Sequence, residues 1–274
     1  MLKINSLEYK YEDGTRALKG INMDLNRGNI IGLIGANGSG KSTLFLNILG
    51  ILRPSKGKIE YKGKPIKYKK KDLINYRKEV NLVFQNPEKQ IFYSNIRDDI
   101  AFSLRNLNYD EREVERRVVK ALKKVKALDL IERPAHFLSY GQKKRIAIAS
   151  ILVLDTKVLL LDEPTAGLDP EMTREMMEII KSLTKDRKIL IASHDMDFIY
   201  QICDYIYLLK EGEILGEGRA EEVFLESKLL EEAGLDRPWL VKVHKRLGLP
   251  LYKTESEFEK NWKGDRNEKG NNSF

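Results

Sequence analysis

Apolar positions along this chain switch between two periods. Over Leu2–Tyr11 and Ala17–Leu25, apolar and polar residues alternate on either side of Asp13-Gly14-Thr15. That pattern predicts a two-stranded hairpin. Asn29–Ile34 predicts a strand running into a glycine-rich turn, followed by a helix from about Lys41 to Gly50. Gly57–Tyr61 and Val80–Gln85 predict two more strands, the second stopped by Asn86-Pro87. Asp98–Leu107 and Asp110–Val125 carry helical spacing, and the second adds Glu/Arg pairs one turn apart.

A further helix-period run, from about Gly141 to Leu154, precedes a change of pattern at Val158. From there the order is strand, helix, strand, helix, strand: Val158–Leu161, Pro170–Lys185, Ile189–Ala192, Met196–Ile202, Tyr205–Leu209. Continuous apolar strands between helices predict a parallel sheet buried on both faces. Glu213–Leu215 and Ala220–Phe224 close this region. Beyond Phe224, Leu229–Leu235 and Trp239–Leu247 predict two short helices around Asp236-Arg237-Pro238. The polar stretch 263–274 is expected to be disordered.

Composition narrows the class. The 274 residues suit one large domain with an appendage, 42% hydrophobic and 33% charged. No apolar run approaches the roughly 18 residues of a membrane span. Met1-Leu2-Lys3-Ile4-Asn5 has no signal-peptide character, and the single cysteine, Cys203, cannot form an intrachain disulfide and fits a reducing cytoplasm. Any membrane role must therefore come through a partner. The net charge of +8 arises from 49 basic residues interspersed with 41 acidic ones. This reads as a charge-dense surface rather than a nucleic-acid footprint, so no nucleic acid is expected.

The chemistry begins at Gly35-Ala36-Asn37-Gly38-Ser39-Gly40-Lys41-Ser42, with Thr43 next. This fits G-x-x-x-x-G-K-[ST], between a strand and a helix as the motif requires. The glycines let backbone N–H groups point at phosphates, and the helix N-terminus adds its positive end. Lys41 then reaches the β- and γ-phosphates, and the Ser42 hydroxyl coordinates Mg²⁺. Asp162-Glu163 ends the apolar strand from Val158, and ligands bind at the carboxyl ends of such strands. Asp162 is placed to hold Mg²⁺ and Glu163 to polarise a water. A pair of solvated carboxylates at a strand end is the plainer alternative; the following Pro164-Thr165-Ala166-Gly167-Leu168-Asp169 disfavours it.

Leu138-Ser139-Tyr140-Gly141-Gln142 reads first as a capping box, with Ser139 as N-cap and Gln142 three residues on. A capped N-terminus with a free hydroxyl and a glycine N–H is also an anion site. Both readings hold together. Asp169-Pro170 is an ordinary helix start, with Asp at the N-cap and Pro first in the helix. Gln85 and His194 each follow a predicted strand end.

In that order these segments resemble the ATP-binding subunit of ATP-binding-cassette (ABC) transporters, from Leu2 to about Phe224. The resemblance implies an α/β P-loop NTPase fold: a RecA-like core, an antiparallel β subdomain and a helical subdomain at about residues 88–155. A C-terminal helical extension at residues 225–262 follows. It also implies roles. Tyr11 stacks on adenine, and residues Gly35 to Thr43 bind ATP. Ser42, Gln85 and Asp162 hold Mg²⁺. Glu163 acts as base, with His194, Gln85 and Lys41 beside it. Ser139 and Gly141 serve the nucleotide of an opposite subunit, and Tyr140, Gln142 and Asp169 lie with them in the signature and at the subunit interface.

The runs Tyr11-x-Asp13-Gly14-Thr15-x-Ala17-Leu18-Lys19-Gly20 and Val83-Phe84-Gln85-Asn86-Pro87-x-x-Gln90-x-Phe92 are similar to the energy-coupling-factor and cobalt-type importers. Gln142-Lys143-Lys144-Arg145-x-Ala147-Ile148-Ala149 adds to that likeness. Such a subunit works as a homodimer or heterodimer with a second ABC ATPase, at the cytoplasmic face of the cell membrane. Its partners there are an integral transporter subunit and a substrate-capturing membrane protein. Cobalt or nickel ions and vitamins are the usual cargoes. A soluble ABC ATPase without a membrane partner, another ABC transporter class and a non-catalytic regulator are the alternatives; Glu163 and His194 speak against the last. Tyr140 departs from the usual Leu-Ser-Gly-Gly-Gln. Its bulk and its aversion to positive φ predict altered packing at the interface.

Overall fold

The computed structural model describes residues 1–262. The tail expected to be disordered, 263–274, lies outside the described residues. Strand β1 (Leu2–Lys10) turns into β2 (Arg16–Asp24), and β3 (Ile30–Ile34) runs through the glycine-rich loop into helix α1 (Lys41–Ile48). Then come β4 (Lys56–Tyr61), β5 (Lys64–Pro65), α2 (Lys70–Glu79) and β6 (Val80–Val83). Three helices follow, α3 (Ile96–Asn106), α4 (Glu111–Lys124) and α5 (Tyr140–Leu152). The alternating region is β7 (Val158–Asp162), α6 (Pro170–Ser182), β8 (Lys188–Ala192), α7 (Met196–Ile202), β9 (Tyr205–Lys210) and β10 (Glu213–Arg219). The chain closes with α8 (Ala220–Leu225), α9 (Ser227–Glu232), α10 (Trp239–Leu247) and α11 (Glu255–Asn261).

Two sheets result. One is antiparallel, in the order β2-β1-β4-β5; the other has six strands in the order β10-β9-β3-β8-β7-β6. In the second sheet every pairing is parallel except β9–β10. The first hairpin forms where predicted, because Asp13 Oδ1 accepts from the Thr15 amide at 2.8 Å and Gly14 takes φ 94°. The larger sheet lies between two cores. Ile31, Leu33, Leu160, Leu190 and Leu209 face the antiparallel sheet and α1. Ile30, Ile34, Leu159, Leu161, Ile189 and Leu208 face the helices. The strands look uniformly apolar in sequence because both of their alternating faces are buried.

The three middle helices pack by their apolar stripes. Ile96, Ile100 and Leu104 of α3 meet Val114, Val118 and Leu122 of α4, one turn apart on each helix. Asn95 and Asp110 cap α3 and α4 by accepting amide hydrogens from their first turns. Asp99 is buried, and its carboxylate accepts from the amides of Phe92 and Tyr93, which fixes the loop ahead of α3.

Two helices were not predicted. Helix α2 buries only Tyr76, so no apolar stripe marks it in sequence. Helix α11 is short and starts at Thr254, whose hydroxyl accepts from the Glu257 amide. Strand β10 also runs four residues beyond Leu215, because Gly216–Arg219 pair with Leu208–Tyr205. Leu230, Ala233, Leu240 and Val241 of the C-terminal helices share one buried core with the parallel sheet. No helix of the described residues is long and apolar enough to cross a membrane.

Candidate functional site

Parallel pairing levels the carboxyl ends of four strands. Val83 pairs with Leu161, Asp162 with Ala192, and Leu33 with Ala192 across the other edge of β8. The residues just past these ends are Gln85, Glu163, His194 and the loop from Gly35. They converge on a cavity of about 610 Å³, lined among others by Tyr11, Asn37, Gly38, Lys41, Ser42, Thr43, Asp162 and Glu163. A larger cavity of about 720 Å³ near Asp204 and Arg219 contains none of these residues.

The loop needs its glycines for space. A Cβ on Gly35 would lie 2.2 Å from the Leu209 carbonyl oxygen, and one on Gly40, at φ 110°, 2.8 Å from that of Ala17. The loop is also tied down: Ser39 donates to Ala36 and accepts from the Gly212 amide. The Lys41 ammonium donates to the carbonyls of Gly35 and Ala36 at 2.7 and 2.9 Å. Burial lowers its pKa, while Glu163 and Asp162 pull it back up. The Tyr11 hydroxyl is 2.8 Å from that of Thr43 at the cavity rim.

Glu163 is the most constrained carboxylate here. It is buried, with Ser193 Oγ donating to Oε2 at 3.0 Å and the His194 amide to Oε1 at 3.0 Å. His194 Nδ1 is 2.8 Å from the same Oε1, so this Nδ1 carries the proton when the imidazole is neutral. The Glu163 backbone takes φ 48°, a left-handed conformation that a side chain adopts only under constraint. Its neighbour Asp162 is pushed up by burial and by the Glu163 charge, against the pull of Lys41, Lys144 and Ser42.

The remaining segment stands apart from this cavity. Ser139 and Gln142 form the reciprocal capping box, with the Ser139 amide donating to Gln142 Oε1 at 2.9 Å and the Gln142 amide to Ser139 Oγ at 3.3 Å. Ser139 is exposed, whereas Gly141 is buried and a Cβ there would strike Met172 Sδ at 2.5 Å. Asp169 caps α6 through Met172. Neither Ser139, Tyr140, Gly141, Gln142 nor Asp169 lines the cavity. Tyr140 is the first residue of α5 and has ordinary helical backbone, so its expected difficulty with positive φ does not arise. Its hydroxyl donates to the Gln85 carbonyl at 3.2 Å, and its ring covers Gly167 and the Lys144 ammonium.

A phosphate loop, a carboxylate pair and the capped helix α5, which carries the Leu138–Gln142 signature, thus stand in the order and the places that define one family. Residues 18–166 match the model described as ABC transporter. The chain belongs to the ABC transporter family. A cobalt import ATP-binding protein, CbiO, of Salmonella typhimurium is 51% identical to it, over 94% of this chain and 95% of that protein. An energy-coupling factor transporter ATP-binding protein of Methanocaldococcus jannaschii is 46% identical, over 87% of this chain and 86% of that one. The solved structure of CbiO1 from Clostridium perfringens, described as part of the ABC transporter complex CbiONQ, superposes with a TM-score of 0.78. It is 43% identical and covers 90% of this chain and 95% of that one. The chain is an ATP-hydrolysing subunit of the cobalt and energy-coupling-factor type.

Within this ABC ATPase, two contributors escaped the sequence. Ser193 holds the Glu163 carboxylate, and Lys144 donates from a buried helix position to the Glu163 carbonyl at 2.6 Å. Burial pushes the Lys144 pKa down to about 8, with Glu163 and Asp162 opposing. A lysine inside the apolar-periodic run 141–154 was the available signal. Thr15, Arg16, Lys19 and Glu211 also line the cavity, from the turn after β1, the first half of β2 and the turn after β9.

Proposed function

We propose that two chains, this one and a second copy or a related ABC ATPase, enclose ATP between them and drive import of a cobalt or nickel ion or a vitamin. ATP lies along Gly35–Thr43, with Tyr11 against the adenine. Ser42, Gln85 and Asp162 offer a hydroxyl, an amide oxygen and a carboxylate to one cavity, a donor set that suits Mg²⁺. Bound there, Mg²⁺ supplies charge neutralisation on the phosphoryl oxygens. Glu163, fixed by Ser193 and His194, orients and deprotonates the attacking water. Ser139 and the Gly141 N–H stabilise the γ-phosphate held by the other chain. The observation that carries this reading is the separation of the exposed Ser139 from its own ATP cavity.

Coupling to the membrane rests on a second observation. Phe92 and Phe137 are 76% and 72% exposed, and the half-exposed Tyr93 and Phe102 have ring centroids 5.6 Å apart. This aromatic patch adjoins the loop from Gln85, so it suits an integral transporter subunit that moves when the ATP site closes. The chain then sits peripherally on the cytoplasmic face of the membrane. Cobalt is supported by the name of the Salmonella relative.

Mixing inactive chains tests the shared site. Glu163→Gln and Ser139→Arg chains should each hydrolyse ATP poorly. Mixed, they form dimers with one intact site, and turnover should return. No recovery in the mixture would reject half-sites contributed by two copies of this chain. Co-purification from membranes with an integral protein, followed by cobalt-ion uptake into vesicles, tests the cargo.

A further inference from the structure

We propose that Lys144 is a positioning residue for Glu163 of its own chain, and that Tyr140 seats it, so that the signature helix is clamped to the hydrolytic carboxylate beside it. This rests on the reading of Glu163 as base. The geometry carries the proposal. Glu163 departs from the conformations open to most side chains, with φ 48°. Three hydrogen bonds hold its main chain there. Its N–H donates to the Ala192 carbonyl at 2.8 Å. Its carbonyl accepts from the Ala166 amide at 3.3 Å and from Lys144 Nζ at 2.6 Å. The lysine bond is the shortest and comes from a different element.

Lys144 is 3% exposed, so its ammonium is removed from water, and that carbonyl, the Tyr140 ring and the nearby Glu163 and Asp162 carboxylates offset the loss. The ring centroid is 5.4 Å from Nζ, within cation–π range. The same ring abuts Gly167, where a Cβ would lie 3.1 Å from Tyr140 Cε1. The Tyr140 hydroxyl reaches the Gln85 carbonyl. One aromatic side chain therefore touches the loops on either side of the hydrolytic site. Burying a cation is costly, and a neutral residue would pack here more cheaply. A shift of the first turn of α5, where Ser139 meets the other subunit's nucleotide, would carry the Glu163 main chain with it.

The test uses the full chain and reads turnover against binding. Lys144→Met removes the donor but keeps the bulk. Its kcat should fall at least about tenfold, the scale of losing a charged hydrogen bond, with affinity for a fluorescent ATP analogue unchanged. Lys144→Arg, which keeps a donor and the charge, should recover part of the rate. Mixed with Ser139→Arg chains, Lys144→Met should regain turnover as Glu163→Gln does, because both then spoil only their own chain's carboxylate. Wild-type turnover of Lys144→Met beside an inactive Glu163→Gln would overturn the proposal while leaving the base reading intact. So would absence of recovery in the Lys144→Met mixture when the Glu163→Gln mixture recovers, since Lys144 would then act on the other subunit's site. Active Glu163→Gln would instead reject the base reading. Should Lys144→Met lose its thermal transition, Tyr140→Ala at the half-exposed ring carries the same measurements: slowed turnover with recovery supports the clamp, and wild-type turnover rejects it.

Discussion

A few side chains gather at the candidate ATP site. Glu163 is held at three points by Ser193 and His194, which leaves little freedom in its approach to a water. Glu163→Gln should therefore slow hydrolysis by about 10²–10⁴-fold while ATP binding persists; a binding titration alongside a phosphate-release assay separates the two. Near-normal phosphate release would remove Glu163 from the role of base. Lys41, Ser42, Asp162 and Glu163 were legible in the sequence because their spacing is set by a local loop or by one strand end. Ser193 and Lys144 were not. Each acts through a contact made across the fold; nothing local marks a serine after a strand, and a lysine within an apolar-periodic helix signals only an unusual burial, not its partner Glu163.

At the scale of elements, one cap carries two duties. The Ser139 hydroxyl accepts from the Gln142 amide, its residue is exposed, and on the proposed reading it also meets a phosphate of the other chain. Ser139→Ala should cost about 1 kcal/mol of stability, read as a lower unfolding midpoint. It should also lose ATPase activity at temperatures where the chain is fully folded. Loss of stability with intact activity would leave only the structural duty. Helices with caps and apolar stripes, such as α4 with Asp110 and Val114, Val118 and Leu122, were predicted within a residue or two. Helix α2 escaped because Lys70–Glu79 has only Leu73, Ile74 and Tyr76 among its charged and polar residues and buries only Tyr76, whose hydroxyl donates to the Ile48 carbonyl at 2.7 Å. Its stability comes from that tertiary contact rather than from its own pattern.

Over the whole molecule, the C-terminal helices are not a loose appendage. Leu240 is 2% exposed within the main core, and the Trp239 amide donates to Asp197 at 2.6 Å. Leu240→Ala should destabilise the whole chain by about 2–5 kcal/mol in a single cooperative transition. A separate, low-temperature transition would show instead that residues beyond Phe224 unfold on their own. Assembly sets the other expectation at this scale. On the proposed reading, with half of each site on another chain, activity per molecule should rise with protein concentration. A flat dependence across dilute solution would count against the shared site.

The sequence alone determined the superfamily, the phosphate loop and the order of strands and helices. Those depend on residues near one another in the chain: glycines that open a loop, apolar runs that must be buried, caps three residues from their partners. Tertiary structure alone decided which strand ends meet, and so which carboxylate faces the loop. It also decided that Tyr140 and Lys144 reach from the signature helix to Gln85 and Glu163. The physical reason is distance in sequence. Contacts between residues 19 or 55 positions apart leave no periodicity to read, and only the packed sheet brings their atoms within hydrogen-bonding range.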